Sequence, residues 1–137
     1  MPRNLRKPAI LIVDDEFGLA EMLREMLREY GFEVTLAING RVAFEILREA
    51  KVDLVLTDMM MPVMDGAELA RAVRNEDRHR GTPVVLMTSL PTVARRAEDL
   101  FDAVLRKPFT PDLLLETIEK LLGPSKSTDT ELPFHDG

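Results

Sequence analysis

The sequence predicts one α/β domain, a doubly wound parallel sheet with helices packed on both faces. Three observations carry that prediction. Short apolar runs alternate with amphipathic helical stretches five times along the chain. The first run, Ala9 to Val13, is apolar throughout and rich in β-branched residues, as in a strand buried on both faces. Consecutive parallel strands need crossover connections, which the intervening helices supply in the right-handed sense. A chain of 137 residues suits one such domain with a real core, and it carries no internal repeat.

The elements follow in order. Pro8 and Asp14 bound the first strand. Glu16 to Tyr30 is a helix with Phe17, Ala20, Leu23, Leu27 and Tyr30 on one stripe, and Gly31 stops it. Phe32 to Ala37 alternates as a strand more exposed on one side. Asn39-Gly40 is a turn or cap before a second helix, marked by Val42, Ala43, Ile46 and Leu47 and ending near Lys51. Val52 to Thr57 is the third strand. A third helix runs from about Gly66 to Asp77 on Leu69, Ala70 and Val73, and the polar stretch Asn75 to Gly81 closes it. Pro83 to Thr88 is the fourth strand, its proline at the first position where a missing donor is tolerated. A short helix fits Thr92 to Leu100, and Asp102 to Arg106 is a brief fifth strand. Thr110 caps a last helix on Leu113, Leu114, Ile118, Leu121 and Leu122, which Gly123-Pro124 ends. Domain bounds of 9–123 follow, with residues 1–8 an N-terminal extension and 124–137 a polar, aperiodic tail expected to be disordered.

Composition narrows the function. A 45% hydrophobic and 31% charged balance is that of a soluble globular protein. A net charge of −6 argues against a nucleic-acid footprint. The chain has no cysteine, hence no disulfide framework and no thiolate zinc site. The apolar run after the basic N-terminus is too short for a signal peptide, and no stretch approaches the roughly 18 apolar residues of a membrane span. A cytoplasmic protein without nucleic-acid or membrane partners is expected.

In a doubly wound sheet, ligands bind at the carboxyl ends of the strands. There the sequence places Asp14-Asp15, Asp58, Thr88-Ser89 and Lys107. Each has a bland reading. Asp15 fits a helix cap, Asp14 a turn, and Asp58 a bond to its own loop backbone. Thr88 fits a β-branched strand residue and Lys107 a solvated end. Together they are three carboxylates, a hydroxyl and an ammonium at one edge, more than loops need for turning. Three close carboxylates repel unless a cation offsets them, and Mg²⁺ suits an open, all-oxygen site. Such a cation beside a lysine and a hydroxyl is a phosphoryl-transfer constellation, with Asp58 as the nucleophile.

These residues resemble the receiver domain of bacterial two-component response regulators, over about Ala9 to Leu122. The resemblance rests on Val13-Asp14-Asp15-Glu16, on Asp58 with Pro62 and Asp65-Gly66, on Thr88, and on Lys107-Pro108-Phe109. It implies a flavodoxin-like, five-stranded sheet in the order 2-1-3-4-5. It also implies that Asp58 accepts a phosphoryl group from a histidine kinase or histidine phosphotransfer protein. Asp15, Asp58 and the Met60 backbone carbonyl would bind Mg²⁺, with Asp14 acting through water. Thr88 and Lys107 would hold the phosphoryl group, and the Lys107-Pro108 bond would be cis.

Three features depart from the family pattern. Val104 stands where a switch aromatic is usual, so movement of Thr88 is expected to couple differently to an output face. The segment between Thr88 and Lys107 is short, with Leu100-Phe101-Asp102-Ala103 in place of a usual Gly-Ala, which puts dimerisation through the preceding helix in doubt. Met60 and Leu90 flank the phosphoryl position with apolar side chains that cannot orient water, so slow self-dephosphorylation is expected. Elsewhere, Met59-Met60-Met61 and Met64 have the residue type of a soft-metal site but read as adaptable packing. His79 reads as a solvated loop residue, too isolated from His135 to pair with it. Arg95-Arg96 reads as an exposed helix face and Phe134 as part of the tail.

The reading is therefore a phosphoacceptor, not an enzyme acting on a separate substrate. It is expected to stand alone, as a monomer or weak dimer that signals through an unknown downstream protein. The alternatives are the receiver of a hybrid histidine kinase and an unphosphorylated pseudo-receiver. A phosphohydrolase would place a second acid two residues after the nucleophile, where this chain has Met60.

Overall fold

The computed structural model describes residues 7–90 and 99–123. Five strands form one parallel sheet in the order β2-β1-β3-β4-β5: β1 (Ala9–Val13), β2 (Glu33–Ala37), β3 (Leu54–Asp58), β4 (Val84–Thr88) and β5 (Ala103–Arg106). The described helices are α1 (Phe17–Glu29), α2 (Gly40–Glu49), α3 (Gly66–Arg74) and α4 (Pro111–Leu122), with a 3₁₀ turn at Asp77–His79. The expected doubly wound fold and strand order are both present. Among the described residues no helix is long and apolar enough to cross a membrane. The expected helix over 92–100 lies largely outside the described residues, as do Arg95, Arg96, Phe134 and His135.

Strand alternation sends successive side chains into two separate cores. Ile10, Ile12, Leu54, Leu56, Val85 and Met87 pack beneath α1 and α4. Leu11, Val13, Val55, Val84 and Leu86 pack beneath α2 and α3. The central strands therefore read as nearly continuous apolar runs, and only the edge strand β2 alternates visibly. Gly31 ends α1 at φ 96°, a conformation that disfavours side chains.

Several expectations need correction. Phe17 and Tyr30, at the two ends of the α1 stripe, are exposed, and its buried residues are Ala20, Leu23 and Leu27 between them. Leu113 is exposed too, while Leu115 is partly buried in its place. Glu16, not Asp15, is the N-cap position of α1. Helix α3 stops at Arg74 and the chain tightens into the 3₁₀ turn.

The largest correction is His79, which is 1% exposed. The 3₁₀ turn places its ring inside, while Asp77, Arg78 and Arg80 stay at the surface. Nε2 accepts the Val52 N–H at 3.3 Å and Nδ1 lies 2.8 Å from Glu76 Oε1. An amide can only donate, so Nε2 carries the lone pair and Nδ1–H donates to the carboxylate. The ring thus joins the entry of β3 to the end of α3.

Of the short segment before β5, residues 99–102 are described. Phe101 fills the α2/α3-side core, and Asp102 Oδ2 accepts the Val84 N–H at 2.7 Å while pairing with Arg74. Val104 pairs with Leu86 in the β4–β5 register and packs, half-buried, against the same core.

Candidate functional site

The carboxyl edge of the sheet collects the predicted residues because β1, β3, β4 and β5 all point the same way. Asp14 directly follows β1, and its N–H donates to Ala37 O at 3.1 Å, which prolongs the pairing with β2. Its side chain is buried. Oδ1 accepts the Glu16 N–H at 2.9 Å, and Oδ2 is buried with no hydrogen-bond partner. Asp15, next in the chain, is exposed.

Asp58 is the last residue of β3 and half-buried. Its Oδ1 accepts the Met59 N–H at 2.9 Å. Its carbonyl accepts the buried Thr57 hydroxyl at 2.8 Å. Gly66, the first residue of α3, closes over that carbonyl: a Cβ there would sit 2.5 Å from Asp58 O. So Asp14 does make a turn and Asp58 does bond its own loop. The bland readings describe one oxygen of each carboxylate, and they leave Asp14 Oδ2 buried and unpartnered.

One carboxylate oxygen from each of Asp14, Asp15 and Asp58 lies within 4.8 Å of the other two. Lys107, just after β5, places Nζ 3.8 Å from both Asp14 Oδ2 and Asp58 Oδ1. At that distance the ammonium attracts but forms no hydrogen bond to either. Burial pushes both carboxyls above the usual carboxylate range. For Asp14 the Glu16 amide and Lys107 oppose the rise; for Asp58 Lys107 opposes it most. Desolvation prevails over the lysine for both, and three carboxylates share this edge with the Lys107 ammonium.

Thr88 ends β4 and is 3% exposed. Strand register sets its neighbour Met87 beside Asp58, which puts Thr88 at the same edge. Its hydroxyl accepts the Leu90 N–H at 3.1 Å, and its carbonyl accepts the Lys107 N–H at 2.8 Å. The Lys107-Pro108 bond is cis. Lys107 also borders an apolar cavity of about 720 Å³ between α1 and the segment Pro108–Pro111, floored by Leu19, Leu23 and Phe109.

The β3–α3 loop carries Met60, 65% exposed at this edge, whereas Met61 is buried and Met59 and Met64 pack against the core. Two contributors escaped the sequence reading. The Thr57 hydroxyl looked like an ordinary strand residue, and Gly66 looked like a turn residue only. The second has a legible trace, the Asp-Gly pair before α3.

The comparisons with known proteins agree with this geometry. Residues 10–119 match the family described as response regulator receiver domain. The transcriptional regulatory protein SrrA of Staphylococcus aureus is 34% identical over 125 residues, covering 89% of this chain and 51% of that protein. The chain thus spans about half the length of the curated relatives it matches. The chemotaxis response regulator CheY4 of Vibrio cholerae superposes with a TM-score of 0.79 at 31% identity, over 85% of this chain and 99% of that one. The response regulator TrrA of Thermotoga maritima, in complex with Mg²⁺ and BeF, gives 0.76 at 33% identity, over 84% and 99%. With the strand order, the acidic edge and the matched span in agreement, the chain belongs to the response regulator receiver domain family.

Proposed function

We propose that residues 9–123 form a Mg²⁺-dependent phosphoacceptor unit in which Asp58 receives a phosphoryl group from the phosphohistidine of a kinase or phosphotransfer protein. The observation that carries this reading is the single cluster of Asp14, Asp15 and Asp58 oxygens within 4.8 Å, faced by Lys107. The donor set fits a hard cation: it is all oxygen, its three carboxylates share the edge with the Lys107 ammonium, and it includes the buried, unpartnered Asp14 Oδ2. Asp15, Asp58 and the Met60 carbonyl would hold the ion directly, and Asp14 through water. When bound, Mg²⁺ would neutralise the carboxylates and screen the oxygens of the incoming phosphoryl group.

The chain's own groups do the rest. An ionised Asp58 oxygen attacks phosphorus, the P–N bond to the imidazole breaks, and the imidazole leaves with that bonding pair. Lys107 already lies between Asp14 and Asp58 and moves only its flexible end to meet the phosphoryl oxygens. Thr88 Oγ1, now accepting the Leu90 amide, donates its own proton to another of those oxygens. The apolar cavity that opens at Lys107 gives a protein donor a place to seat beside the site. The added charge of roughly −1.5 to −2 then alters binding of a downstream protein.

Intact mass after incubation with Mg²⁺ and a small phosphodonor tests the reading. Wild type gains one phosphoryl group and Asp58→Asn gains none. No gain by wild type with any donor overturns it. The exposed, apolar Met60 and Leu90 offer no hydrogen bond to orient an attacking water, so the phosphorylated form is long-lived. Replacing them together, Met60→Asn with Leu90→Glu, shortens its lifetime in Mg²⁺ buffer; an unchanged decay rate removes their role.

A further inference from the structure

The loop that carries Met60 is held from outside the acidic cluster. Val63 has φ 74° and is 70% exposed. The Met64 N–H donates to Pro62 O at 2.8 Å, closing a three-residue turn around it. A turn of this kind with a positive central φ is rare and strained, the more so for a β-branched residue. Such a conformation persists only where its surroundings over-determine it.

Two backbone contacts do so. Gly66 N–H donates to Met59 O at 2.9 Å, and Gly40 N–H donates to Met64 O at 3.3 Å. Gly40 belongs to α2, far from Asp58 in sequence, and has no positive φ to explain it. It is needed for space. A Cβ there would lie 2.6 Å from Met64 O and 2.9 Å from Met64 Cγ, closer than atoms approach without displacement. Met60 sits between the pinned Met59 carbonyl and the strained turn.

We propose that Gly40 is a positioning residue of the cation site: its bare α-carbon seats the Pro62–Val63–Met64 turn and so fixes the loop that presents the Met60 carbonyl. This rests on Mg²⁺ binding at Asp15, Asp58 and Met60, as proposed above. A methyl group at position 40 pushes the Met64 carbonyl away. The loop cannot absorb that push at Pro62, whose φ is fixed, nor at Met59, held by Gly66. The displacement therefore reaches Met60.

Mg²⁺ titrations of the full chain, read by thermal unfolding without any phosphodonor, test this. Gly40→Ala lowers the apparent Mg²⁺ affinity about tenfold or more, as loss of a supporting contact behind a ligand does. Leu47→Val, in the buried face of the same helix, lowers the metal-free melting temperature but leaves Mg²⁺ affinity within about twofold, because it lies away from the loop. A Gly40→Ala protein that binds Mg²⁺ as wild type does overturns the proposal alone. Wild type that gains no stability from Mg²⁺ overturns the cation reading as well. Amide exchange in wild type gives a readout that survives a folding failure of the variant. Mg²⁺ slows exchange of the Gly40 amide, which donates to Met64 O, and leaves that of Ala50, at the far end of α2, unchanged. Equal Gly40 exchange with and without Mg²⁺ overturns the proposal.

Discussion

Asp14 and His79 are both buried polar residues, and they differ in what they have been given. His79 has both ring nitrogens engaged. Truncating it leaves the Val52 N–H buried without an acceptor and opens a void, so His79→Ala costs about 2–4 kcal/mol in urea denaturation. A loss below that of an ordinary surface change would mean that water replaces the ring. Asp14 keeps one oxygen unpartnered, and burial raises its carboxyl above 3.8. A raised carboxyl binds its proton more tightly in the folded chain than in the unfolded one. Its favourable contribution is complete below 3.8 and is lost as pH rises through the raised value. Asp14→Asn keeps the acceptor for the Glu16 amide but cannot ionise. In metal-free buffer it is therefore more stable than wild type at neutral pH, with the gain shrinking to nothing as pH falls towards 3.8. Denaturation curves across that range in a chelator check it; a gain independent of pH would place its origin elsewhere. The sequence announced Asp14 through its doublet at a strand end. It hid His79, because Asp77-Arg78-His79-Arg80 is locally a charged run and only the 3₁₀ turn decides which side chain points inward.

Among the elements, α3 begins with the most complete cap. Asp65 Oδ1 accepts the Glu68 N–H at 2.8 Å, and Glu68 Oε1 accepts the Asp65 N–H at 2.9 Å. This reciprocal pair fixes where the β3–α3 loop ends, so it stabilises the helix and bounds the site together. Asp65→Ala costs about 1 kcal/mol. Glu68→Ala added to it costs less than it does alone, since the box is already open; full additivity of the two would show that they act separately. Asp65-Gly66 was legible as a turn opening a helix. The reciprocal cap was not singled out, though its Asp-x-x-Glu spacing stands in the sequence. Helix ends resisted reading elsewhere for a simpler reason. Apolar spacing marks the face of a helix, but Phe17 and Tyr30 at the two ends of one stripe are exposed, and Leu113 lies beside the buried face set by Leu114 and Ile118.

At the scale of the molecule, strand order sets which residues carry the most stability. β3 lies in the centre of the sheet with both faces covered, and β2 lies at an edge with every second residue exposed. Leu56→Ala, in the core beneath α1 and α4, therefore costs about 2–5 kcal/mol, against about 1 kcal/mol for the half-buried Val34→Ala. Similar losses at the two positions would contradict the central placement of β3. By itself the sequence determined the alternation of strands and helices, the strand ends at Asp14, Asp58, Thr88 and Lys107, the caps at Asn39 and Thr110, and the turn at Asp65-Gly66 that opens a helix. Those are local matters of periodicity, turn chemistry and which residue types interrupt an apolar run. Only the tertiary structure decided that Asp14 Oδ2 goes unpartnered, that Lys107 stands 3.8 Å from two carboxylates, and that a Cβ on Gly40 would meet Met64 O of another crossover at 2.6 Å. These depend on distances between segments remote in the chain, which the packing of helices on a twisted sheet fixes and no sequence window contains.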